Sequence, residues 1–119
     1  GDFNDRIVAG AVCDTVPGRA EAAAARYNVP RWYQDYDQML ADESLDAVTL
    51  CTPIGLHYEQ ALKAIAAGKH IHFNKTMTVT TAEADDLIAR AASAGLSLVA
   101  SPGQMNRPHL RRIRRMVED

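Results

Sequence analysis

The segment HIHFNKTMTVTTAEADDLI, residues 70–88, passes from an apolar strand-like stretch through a polar bend into a helix start, and the bend holds Asn74, Lys75, Thr76 and Met77. A lysine at a strand end that faces a crevice is partly desolvated, which eases release of its proton and suits it to acid–base work. The alternative is an ordinary solvated loop lysine. Asp14 ends another apolar run directly before a loop and helix. A carboxylate there can accept both ribose hydroxyls of an adenine nucleotide and would repel a 2′-phosphate, which favours NAD over NADP. Equally, Asp14 could cap the helix that follows, through its neighbours Thr15 and Pro17.

A third candidate group is Thr52, Pro53, Gly55 and His57 in CTPIGLH, residues 51–57. Pro53 stiffens the turn and Gly55 lets backbone approach a ligand closely. A lone histidine at a helix start is more often a surface or capping residue than a catalyst. His70, His72 and His109 share no metal-ligand spacing with His57, so no metal is assigned.

The elements that must position these residues alternate along the chain. RIVAGAVC (6–13) reads as a strand buried on both faces of a parallel sheet. Pro17 then opens a helix over about 17–27. VPRWY is a short strand, and DYDQML a short helix with Asp35 as cap and Gln38 three residues on. DAVTLC (46–51) is a buried strand, followed by a helix with Leu56, Ala61, Leu62 and Ile65 on one face that ends at Gly68. HIHF is the next strand. Thr80 and Glu83 have capping-box spacing before a helix with Leu87, Ile88 and Ala91 on one face and Gly95 as terminator. LSLVA is a last strand, and RPHLRRIRRMVED a last helix whose charges form an outer face over Leu110, Ile113 and Val117.

This alternation specifies an α/β fold, a doubly wound parallel sheet. Ligands of such sheets lie beyond the carboxyl ends of the strands, which gathers Asp14 and Thr15, residues 52–57, 74–77 and 101–105 along one edge.

The 119 residues support one modest core, and 13 basic against 15 acidic residues give no general field for nucleic acid. No apolar run reaches the ~18 residues that cross a bilayer, so a soluble, cytoplasmic protein is expected. Cys13 and Cys51 each end a strand-like run, where cysteine behaves as a small buried hydrophobe; free thiols are expected. The chain opens Gly-Asp-Phe without an initiator Met, as expected of part of a longer polypeptide.

Taken together, AVCD, CTPIGLH, AGKHIHFNK and TTAEADDLI resemble the glucose-fructose oxidoreductase and inositol dehydrogenase family, Gfo/Idh/MocA, over most of residues 7–101. The resemblance implies a Rossmann-type NAD(P)-binding domain followed by an α+β substrate domain that is not present in this chain. It implies NAD-dependent oxidation of a hydroxyl of a sugar, polyol or cyclitol, in a protein that forms homo-oligomers through the second domain. Lys75 would stand near the nicotinamide and the reacting hydroxyl. Asp14 would hold the adenosine ribose, with Thr15 beside it. Thr52, Pro53, Ile54, His57 and Asn74 would line the cofactor crevice. The departures are Asn74 and Thr76 where the family has Glu and Pro, and Ile54 where it has Asn. They keep open a non-catalytic relative that binds a nucleotide or a partner. A phosphoacceptor receiver domain would need an acidic cluster, which the sequence lacks.

The Gly-rich fingerprint G-x-G-x-x-G of that fold is absent. With strand order 3-2-1-4-5-6, the strand that precedes it would lie between RIVAGAVC and DAVTLC. Its absence is expected to leave a gap of roughly 9 to 10 Å in mid-sheet, unless another segment or chain fills it or the flanking strands close on each other. The chain alone is expected to be inactive.

Overall fold

A computed structural model describes residues 6–101 together with Arg112 and Met116. The final helix expected over residues 107–119, and residues 102–105 of the expected edge, otherwise lie outside the described residues.

Among the described residues 6–101, five short strands alternate with four α-helices. They are β1 (Ala11–Cys13), α1 (Arg19–Tyr27), β2 (Arg31–Tyr33), α2 (Tyr36–Leu40), β3 (Ala47–Leu50), α3 (His57–Ala66), β4 (His70–Asn74), α4 (Thr81–Ser93) and β5 (Leu98–Ser101). A 3-10 turn over Ile54–Leu56 leads into α3. All strand pairings are parallel, β1 with β2 and β3-β4-β5 in that order. Among the described residues β1 and β3 do not pair with each other, so the sheet is split where the sequence places a central strand. The two flanking strands have not closed up.

That split explains a correction at the first strand. β1 spans three residues, and Ile7 and Val8 ahead of it are 73% and 78% exposed rather than buried. With a partner on one edge only, the apolar run has no second neighbour to complete a ladder. Helix α1 also begins two residues later than Pro17, because Gly18 takes the left-handed conformation (φ 78°) as N-cap and Arg19 N–H donates to the Val16 carbonyl at 3.1 Å. A Pro-Gly pair is a turn before it is a helix start.

The core lies under β3 and β4. Val48, Leu50, Ile71 and Phe73 alternate inward and meet Ala61 and Ala64 of α3, Leu87 of α4 and Leu40 of α2. In α4 the buried pair is Leu87 and Ala91, four residues apart, while Ile88 turns outward and is 52% exposed. Similarly Leu56 precedes α3 and is exposed, and the inward stripe of that helix is His57, Ala61 and Ala64. Lys69, directly before β4, is buried and its ammonium donates to the carbonyls of Asp42 and Leu45 at 2.8 and 2.7 Å. Buried ammonium groups need such partners.

Candidate functional site

Because β3, β4 and β5 run the same way, their carboxyl ends present the following residues on one edge. Asn74 pairs with Ser101 in the β4–β5 register, so the bend after β4 sits beside the end of β5. Residues 52 and 54 of the loop after β3, Asn74 at the end of β4, and residues 75 and 76 after it are exposed. Lys75 is among them, so the partial desolvation expected of it is not found: the bend after β4 carries its side chain out to solvent.

The backbone of Lys75 has φ 87°, the left-handed region that residues with a side chain rarely enter. Asn28 is the other described non-glycine residue with positive φ, and it is an ordinary helix cap. A lysine has no local hydrogen bond to compensate that conformation, and such strain collects at functional sites. The segment that follows is tied down. Thr78 Oγ1 donates to the Thr80 carbonyl at 2.8 Å, and Thr80 and Glu83 exchange both bonds of a capping box at 3.2 Å. The helix start expected from that spacing is present.

His57 lies behind the edge, 2% exposed, with its ring tilted against Phe73 at 5.4 Å between centroids. Its Nε2 is 2.8 Å from the Thr52 carbonyl oxygen, and its Nδ1 is 3.0 and 3.1 Å from the carbonyl oxygens of Thr76 and Met77. The imidazole therefore joins the loop after β3 to the bend after β4. Thr52 Oγ1 in turn donates to Gln60 Oε1 of α3.

Asp14 follows β1, and its amide donates to the Tyr33 carbonyl at 3.2 Å, continuing the strand pairing. Its Oδ1 accepts the Val16 amide at 2.9 Å, and its Oδ2 accepts from Arg19 Nη1 at 3.3 Å. The local bond reaches Val16 rather than Thr15 or Pro17. Thr15 is exposed next to it. Asp14 is thus oriented by its own loop, with 28% of its side chain open to solvent.

The thiols of Cys13 and Cys51 are free. Cys51 is exposed rather than buried, since it stands past the end of β3 where the edge opens. Burial, with Asp35 and Asp14 nearby, raises the Cys13 thiol above its ordinary pKa, which disfavours the nucleophilic thiolate. Among the described residues no cluster of His, Cys, Asp and Glu could hold a metal ion, and no helix is long and apolar enough to cross a membrane.

The profile of the Gfo/Idh/MocA group, an oxidoreductase family with an NAD-binding Rossmann fold, matches residues 3–101. The chain belongs to this family. It is 33% identical to the scyllo-inositol 2-dehydrogenase (NADP(+)) IolU of Bacillus subtilis over 68% of the chain and 25% of that protein. It is 31% identical to the scyllo-inositol 2-dehydrogenase (NAD(+)) of the same organism over 71% of the chain and 25% of that protein. Among solved structures, the WlbA dehydrogenase of Bordetella pertussis in complex with NADH and UDP-GlcNAcA superposes with a TM-score of 0.87 at 28% identity, covering 98% of this chain and 36% of that one. The chain spans about a fifth to a third of the length of the curated relatives it matches.

The family resemblance, the Rossmann-type parallel architecture and the NAD(P)-binding class read from the sequence are therefore established. What sequence reasoning missed is the position of His57 as an internal tie and the left-handed backbone at Lys75. The tie depends on carbonyls 19 and 20 residues away, which no local pattern announces.

Proposed function

We propose that this chain is the cofactor-binding part of an NAD-dependent dehydrogenase that oxidises a hydroxyl of a sugar, polyol or cyclitol, with a further α+β domain of the same polypeptide supplying most substrate contacts. The observation that carries this reading is Lys75. It is an exposed lysine in a strained backbone conformation at the carboxyl end of β4, in a family of NAD-binding oxidoreductases.

The residues present fit the cofactor in their chemistry. Asp14 offers an oriented, partly open carboxylate to ribose hydroxyls, and Thr52 and Asn74 offer hydroxyl and amide groups at the neighbouring strand ends. Thr15, Pro53 and Ile54 contribute wall rather than hydrogen bonds, while His57 supports the wall from behind. When bound, the nicotinamide supplies hydride acceptance from the carbinol carbon. Lys75 holds the substrate hydroxyl and, acting as the neutral amine, takes up its proton to become an ammonium as the carbonyl forms. Asn74 in place of the family's glutamate leaves the ammonium that forms without an adjacent carboxylate in sequence.

NAD is favoured over NADP because Asp14 would repel a 2′-phosphate, although inositol dehydrogenase relatives use either cofactor. Cytoplasmic location and homo-oligomeric assembly through the second domain belong to the same proposal, as does inactivity of this chain alone. The test is an NAD-coupled assay of the full-length protein on a panel of cyclitols, aldoses and nucleotide sugars. Reduction of NAD with at least one of them is expected.

A second reading is a relative that binds nucleotide without turnover, favoured by Asn74, Thr76 and Ile54. Tight NAD binding with no reduction across the panel would select it.

A further inference from the structure

Lys75 needs something to hold its left-handed backbone, because Thr76 leaves free a turn that proline would stiffen. Past β4, whose last residue Asn74 pairs with Ser101, that turn is held by the contact of His57 Nδ1 with the Thr76 and Met77 carbonyl oxygens, the two that follow Lys75. We infer that His57 is a positioning residue for Lys75: through Nδ1 it holds the 76–77 backbone in place and so aims the amine into the crevice. The inference rests on the role proposed for Lys75 above.

The geometry supports a fixed anchor rather than a mobile one. The ring is nearly fully buried, packs on Phe73 of β4 and stands at the first position of α3, so it is gripped by two regular elements. Both of its nitrogens face acceptors: Thr52 on the Nε2 side, Thr76 and Met77 on the Nδ1 side. A neutral imidazole can donate to one side or the other according to tautomer, and an imidazolium to both. The two sides can therefore be separated chemically. Asparagine places its amide nitrogen close to the position of Nδ1, and glutamine places its own close to Nε2.

The test uses the full-length protein with His57→Asn, His57→Gln and Lys75→Ala, read by steady-state kinetics and by amide hydrogen exchange across residues 74–78. Loss of the Nδ1 contact in His57→Gln is expected to lower kcat by about tenfold or more while KM for NAD changes less than about threefold, since a misaimed group costs rate more than binding. Exchange across 74–78 should rise by about tenfold in the same variant as local opening becomes easier. His57→Asn should recover most of both, at a thermal midpoint similar to that of His57→Gln. Equal kcat losses in the two variants, following their thermal midpoints, would overturn the inference and leave a purely structural histidine. Unchanged exchange at 74–78 in His57→Gln would overturn it as well. Should the wild-type protein reduce no NAD, or Lys75→Ala keep full turnover, the proposed function fails on its own, and the exchange contrast still decides whether His57 holds the turn.

Discussion

Asp14 and Arg19 form an ion pair across the turn between β1 and α1, with Oδ2 3.3 Å from Nη1. The pair is exposed on the arginine side, 64% against 28%, so it adds little stability and mainly orients the carboxylate. Removing the carboxylate would free a guanidinium five residues on, the group best shaped to bind a phosphate. Asp14→Ser is therefore expected to weaken NAD by about tenfold, the worth of a charged hydrogen bond, and to narrow or reverse the preference over NADP. Titration calorimetry with both cofactors measures this. An unchanged NAD to NADP ratio would reduce Asp14 to a cap of its own loop.

Much of the frame around that turn was legible in the sequence, and the exceptions have physical causes. The Thr80–Glu83 pair could be read because both of its hydrogen bonds are local. Leu87 and Ala91 could be read as inward-facing, but Ile88 could not be excluded from that face, since one residue is a 100° step and only the packing partner fixes the edge of the stripe. The extent of β1 depends on having neighbours on both edges, and alternation alone does not reveal which edge is filled. For the site, the strand ends were legible and their linkage was not. His57 has the composition of a surface residue and the burial of a core one, because its three partners are backbone carbonyls supplied by folding.

Acid should loosen the fold through Asp42. Hydrogen bonds from the Ser44 hydroxyl, the Tyr33 hydroxyl and the Ser44 amide, with Arg31 nearby, lower its pKa to about 2. Arg31 Nε stands 3.2 Å from Oδ2 but out of line for a hydrogen bond, so it contributes by charge. The folded pKa lies below the unfolded one of about 4. The stabilisation is therefore complete above about pH 4 and is lost as pH falls toward about 2. Asp86, lowered by Arg90 and then Tyr58, acts in the same direction. The urea midpoint should fall across that window in the wild type, and Asp42→Asn should flatten the fall. An equally steep fall in the variant would place the acid sensitivity elsewhere.

The start of α4 sets where the Lys75 bend must end, and its cap can be weighed directly. Thr80→Ala removes the acceptor for the Glu83 amide and should cost about 1 kcal/mol, whereas Thr80→Ser keeps the hydroxyl and should cost far less. Chemical denaturation of the two variants gives the difference. Equal stabilities would mean that water replaces the cap without loss.

Lys75 itself allows its two properties, the amine and the strained backbone, to be measured apart. Lys75→Ala and Lys75→Gly both remove the amine, and each should lower turnover of the full-length protein by more than about tenfold, the scale of a lost acid–base group. Their stabilities should differ. Alanine keeps a Cβ at φ 87° and glycine does not, so the glycine variant should be the more stable by about 1 kcal/mol, despite the greater entropy that glycine has in the unfolded chain. That ordering reverses the usual one for a position outside the left-handed region. If alanine proves the more stable, the backbone at residue 75 is relaxed and the strain argument falls. If turnover survives both substitutions, the amine has no part in the reaction whatever its backbone does.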